Sequence, residues 1–245
     1  MNAHPTTRAR VRESTRSRWE ARPTTAVGID GCCGGWIAAV RPPDGRIEWL
    51  LEPGIADILK SLPTESTILV DMIIGLPDHT QPSRCCDRLA RELLSPHGSR
   101  VFPAPPREAL AADSYLQACA LARAATGKAI SKQCWHLFPK IRELDALADP
   151  RIRESHPELV FARLNGGHPV AASKKTPAGQ NLRLKLLASI LPGVGADYQA
   201  ALLCYRRKDL ARDDVLDALA LCAVGTRPAE LQALPPDTSM PQIWY

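Results

Sequence analysis

Five aspartates stand where carboxylates do chemistry most readily. Asp30 closes the apolar run TAVGID (25–30), and Asp71 stands near the end of TILVDM (67–72). Both side chains are expected at strand ends, where α/β proteins commonly build their sites. Asp214 and Asp217 lie three positions apart in DDVLDALAL and so share a helix face, with Asp213 beside them. Carboxylates gathered at a buried sheet end repel one another and call for a cation between them. Mg²⁺ or Mn²⁺ suits oxygen ligands. Two such ions, about 4 Å apart, would activate a water and stabilise the leaving oxygen of an in-line phosphoryl displacement. The metal set read this way is Asp30, Asp71, Asp214 and Asp217, with Asp213 an alternative to Asp214. Each acid also has a plain reading as a turn former or helix cap.

The basic residues divide between phosphate contacts and ordinary surface. Lys174 and Lys175, in SKKTPAG, stand in a loop where ammonium groups can meet a phosphate chain or simply be solvated. Arg84, Arg88 and Arg91 recur at helical spacing, with Arg100 and Arg107 close behind, and read equally as a backbone-tracking row or a solvent face. His156 is a proton shuttle or a structural residue. Trp135 and His136 could stack a base, but the surrounding helical periodicity places them in the core. The eight cysteines read as reduced core thiols, and the adjacent pairs Cys32-Cys33 and Cys85-Cys86 lack the spacing of structural zinc ligands.

The elements that must carry these residues are legible as alternating patterns. Strand one (25–30) is followed by the glycine-rich turn GCCGG, and runs at 36–41 and 46–51 flank PPDG, predicting a three-stranded meander. A helix near 55–62 leads to a buried strand at 67–72. Helices are expected over 84–94, 107–123 and 131–147, then a fifth strand at 151–155, a short helix at 157–165 and an exposed loop at 166–177. Two more helices follow, the last over 209–224, before a proline-rich tail that fades into loop. This succession implies an α/β fold with a mixed sheet and helices on both faces.

The chain of 245 residues reads as one core over 25–226, with a C-terminal tail at 227–245. Residues 1–24 hold six arginines and two glutamates without an apolar stretch; they read as a disordered basic tail, not a secretory signal, and carry most of the net charge of +5. No apolar run approaches the ~20 residues of a membrane span. A cytoplasmic protein is expected.

GIDG with GGW, the run LVDMIIGLP and the segment DDVLDALAL together resemble the ribonuclease H superfamily, and the last also resembles RuvC-type junction resolvases. More specifically, RCCDRLARELLSPHGSRVFPAPPREAL, ISKQCWHLFPKIRELD, ESHPELVFARLNG and SKKTPAG are similar to the family called domain of unknown function 429, described as predicted nucleases, over about residues 25–225. The resemblance implies a ribonuclease H-like fold with a five-stranded mixed sheet, three antiparallel strands then parallel ones. It also implies metal ligands at Asp30, Asp71 and Asp217 with Asp214, and a further acid at Glu154 before the HPE triplet. Cys33 replaces a common basic residue, and Met72-Ile73 replaces the usual Ile-Pro; neither removes a carboxylate.

The functional expectation is a metal-dependent nuclease acting on nucleic acid, with Asp30, Asp71, Glu154, Asp214 and Asp217 catalytic and Lys174, Lys175, Arg84 and Arg88 on the substrate. Two other classes fit the same residues: a phosphate or nucleotide binder related to actin-like ATPases and sugar kinases, and a non-catalytic regulatory module. No membrane partner is expected, and a homodimer is compatible with the sequence.

Overall fold

The computed structural model describes residues 24–237 and 241–245; the basic tail expected over 1–24 lies outside them up to residue 23. Strands β1 (Thr25–Cys32), β2 (Gly35–Arg41) and β3 (Glu48–Glu52) form the predicted antiparallel meander. Strand β4 (Ser66–Asp71) lies parallel to β1, and β5 (Ile152–Glu154) parallel to β4, so one mixed sheet runs in the order β3-β2-β1-β4-β5. β1 continues past Asp30 to Cys32, which shortens the expected glycine-rich turn to Cys33 and Gly34.

Period-two alternation divides the sheet into two buried faces. Val27, Ile29, Ile68 and Val70 pack against α1 (Ile55–Ser61), α3 (Tyr115–Thr126) and α4 (Lys132–Leu147). Ala26, Leu69 and Ile37 pack on the other side against α5 (Pro157–Leu164), α6 (Pro177–Leu187), α7 (Val194–Cys204) and α8 (Arg212–Gly225). Helix α8 is buried on every side from Val215 to Gly225, a stretch that is apolar except for Asp217.

Four expectations need correction. The helix expected over 107–123 breaks into a 3₁₀ turn (Arg107–Ala111) and α3, because Ser114 caps a new helix by accepting the Gln117 N–H. Three helices follow the 166–177 loop where two were expected. The C-terminal segment does not fade into loop: β6 (Ala233–Leu234) pairs with β7 (Ile243–Trp244), burying Leu234 and Ile243 beside α2 (Cys85–Leu93). All eight cysteines are free, but Cys33, Cys85 and Cys204 are exposed while the other five are buried. Among the described residues no helix is long and apolar enough to cross a membrane.

Candidate metal centre

Register and close packing bring the acids together. Asp30 and Asp71 are direct neighbours across the parallel β1–β4 pair, so their side chains leave the same face at the same level. Two residues earlier on that face, Gly28 lets the backbone of α8 sit against the sheet: a Cβ there would collide with Ala218 O and Cys222 N. Asp217 precedes Ala218, and this contact seats it over the two strand acids. Oxygens of Asp30, Asp71 and Asp217 all lie within 4.8 Å of one another.

The cluster is shielded from water. Asp217 is 1% exposed and Asp30 8%, while Asp71 is half-buried. Asp30 Oδ1 accepts the Gly31 N–H at 2.6 Å. Asp217 Oδ2 accepts from the Lys174 ammonium, whereas Asp217 Oδ1 is buried with no hydrogen-bond partner. Burial, then the charges of Asp71 and Asp217, hold Asp30 well above the ordinary carboxylate range. Burial pushes Asp71 up to about 6 and Asp217 up to about 7, with Lys174 opposing both shifts. Burial disfavours the charge of Lys174, but Asp217, Asp30 and Asp71 outweigh it and hold the ammonium above the usual lysine range. An orphaned buried oxygen among three carboxylates is the arrangement a metal ion satisfies. A cavity of about 490 Å³ adjoins the cluster, its walls including Asp30, Asp71, His156, Lys174, Lys175 and Asp213.

The family described as "Protein of unknown function (DUF429)" matches residues 28–239. The chain belongs to that family. No curated protein and no solved structure matches the chain. The DUF429 match contains all three clustered acids and Lys174.

Other expected site residues of this DUF429 chain sit elsewhere or are engaged. Asp214 Oδ2 accepts the Ala211 N–H at 3.0 Å; Ala211 has no side-chain acceptor, so Asp214 caps α8 by itself. Asp213 lines the cavity outside the three-acid group. Glu154 pairs with Val70 in the sheet and shares its face, opposite to that of Asp71. It lines the same cavity, but its carboxylate accepts from Arg84 at 2.6 Å and from the Ile74 N–H at 2.7 Å and lies outside the three-acid group. Arg84 is 4% exposed and also donates to the carbonyls of Ile74 and Gly75, so it is closed to any substrate.

The arginine row dissolves into separate pairings. Arg88 is exposed, pairs with Glu92 at 2.8 Å and lines a different groove from the acid cavity. Arg91 donates to Val101 O, Arg100 pairs with Glu158, and Arg107 pairs with Asp145. Of the expected substrate contacts, Lys175 remains exposed at the cavity. His156 caps α5, its Nδ1 accepting the Glu158 N–H. Trp135 is half-buried against Phe138, but His136 is exposed, contrary to the core expectation.

Among the cavity residues that escaped the sequence reading are Glu158 and Ser155. Glu158 is 5% exposed and is clamped by Arg100 at 2.6 Å and Arg183 at 2.7 Å. It belongs to the HPE triplet, so the motif was visible although its role was not. Ser155 continues β5 beside Asp71, its N–H donating to Val70 O, and its Oγ is buried without a partner.

Proposed function

We propose that this chain is a divalent-metal-dependent nuclease that hydrolyses phosphodiester bonds on a ribonuclease H-like fold. The convergence of Asp30, Asp71 and Asp217 within 4.8 Å, with one oxygen of Asp217 buried and unpartnered, carries the reading. The sheet order β3-β2-β1-β4-β5, with β2 antiparallel to its neighbours, supports the fold assignment. A donor set of carboxylate oxygens without sulfur or imidazole favours Mg²⁺ or Mn²⁺. When bound, such an ion supplies Lewis acidity toward a phosphate oxygen. Asp30, Asp71 and Asp217 would hold it. Lys175, exposed at the cavity, would attract the polyanion by charge without reading its sequence.

A panel of single-stranded DNA, duplex DNA, RNA and a four-way junction, incubated with Mn²⁺, tests this reading. Cleavage by the wild type and none by Asp30→Asn is the expected result. A wild type that binds Mn²⁺ but cuts none of the four overturns the nuclease assignment. ATP binding in place of cleavage would move the protein to the phosphate-binding class.

A further inference from the structure

We propose that the centre holds one divalent ion, with the Lys174 ammonium standing where a two-ion centre would place its second. This rests on the metal-centre reading above and specifies its cation content. Three carboxylates and one ammonium leave a formal deficit of two charges, which one divalent ion closes.

The ligands point the same way. A second ion needs carboxylate oxygens beyond those that hold the first. At Asp217 the Oδ2 atom accepts from Lys174, whose positive charge opposes a second cation there, and Oδ1 is the oxygen left without a partner. Among the neighbouring acids, Asp213 lines the cavity outside the three-acid group and the others are engaged. Asp214 caps α8, Glu154 is held by Arg84 and Ile74, Glu158 by two arginines, and Asp87 by Arg84 and the Ala104 N–H.

Lys174 is also built to stay. Its carbonyl accepts from Gln180 Nε2 at 3.0 Å, and the carbonyl two residues earlier, Ala172 O, accepts from the buried Arg183 at 2.8 Å. Thr176 caps α6 through the Gly179 N–H, and Gly179 lacks the Cβ that would collide with Ser173 O. The backbone on both sides of Lys174 is thereby pinned against α6, and the side chain reaches Asp217 from a fixed base.

Mn²⁺ titration of the metal-free full chain, followed by calorimetry and electron paramagnetic resonance, tests the inference. The wild type should bind one ion, Asp30→Asn none, and Lys174→Glu two, because reversing the charge adds both a ligand and the missing negative charges. Two ions in the wild type overturn the one-ion centre, one ion in both wild type and Lys174→Glu overturns the role of Lys174 as stand-in for the second, and either result leaves the metal-centre reading standing. No ion in any of them removes both. Acetylation of wild-type lysines, read by mass spectrometry, needs no variant: Lys174 should stay protected when Mn²⁺ is added. Exposure of Lys174 on Mn²⁺ binding would mean that the ion displaces the ammonium, and would also overturn the proposal.

Discussion

Gly28 of β1 lies against the backbone of α8 at Ala218, with no room for a side chain between sheet and helix. This contact also sets the acid cluster, because Asp217 is the residue before Ala218 and Asp30 lies two residues after Gly28 on the same strand face. Gly28→Ala should cost about 3 kcal/mol or more, since the atoms in the way are backbone and cannot rotate aside. Urea unfolding reads the loss, and Mn²⁺ affinity should fall in parallel. A Gly28→Ala chain as stable as the wild type would refute this seating of α8.

The metal-free protein should become less stable as pH rises from about 4 to about 7. Asp71 and Asp217, ordinarily near 3.8, titrate near 6 and 7 in the folded chain, so the native state binds their protons more tightly than the unfolded state does. Their contribution is present at low pH and is lost through that window, by roughly 3–4 kcal/mol per group at most. Mn²⁺ requires the ionised acids, so its stabilising effect should be small at pH 5 and large at pH 8. Thermal unfolding with and without Mn²⁺ across this range measures both trends; a metal effect that does not grow with pH contradicts the assignment.

Removing Arg84 should destabilise the fold without touching substrate binding. Arg84→Met leaves the Glu154 carboxylate buried without its ion-pair partner, at a cost of about 3–5 kcal/mol. Arg84→Met combined with Glu154→Gln should recover part of that loss. Denaturant midpoints decide the matter, and additive losses in the double variant would show that the two residues do not act as a pair.

Lys175 and Arg88 should separate in their effects on nucleic acid. Lys175→Ala should weaken oligonucleotide binding and reduce the salt slope by about one phosphate contact. Arg88, paired with Glu92 in a different groove, should tolerate alanine with unchanged affinity. Fluorescence anisotropy at several salt concentrations reads both, and equal losses in the two variants would place the nucleic acid elsewhere.

The order of the five sheet strands and the helices around them was largely readable because it rests on local signals: apolar runs ending in Asp30 and Asp71, the PPDG turn, and a helix that is apolar behind Asp213 and Asp214 except for Asp217. Those signals also nominated the clustered acids, since a carboxylate at the end of an apolar run conflicts with its surroundings in a way the local pattern reveals. Side-chain partnership is not local. Whether Glu154 joins Asp71 depends on strand parity, and parity puts it on the opposite face with Arg84, 70 residues away. Lys174 meets Asp217 across 43 residues because α6 pins its loop over α8, an outcome of packing that no spacing encodes. The residue types determined which chemistry was open to this chain; the register of β1 with β4, and the depth to which α8 sinks over Gly28, decided which carboxylates come together.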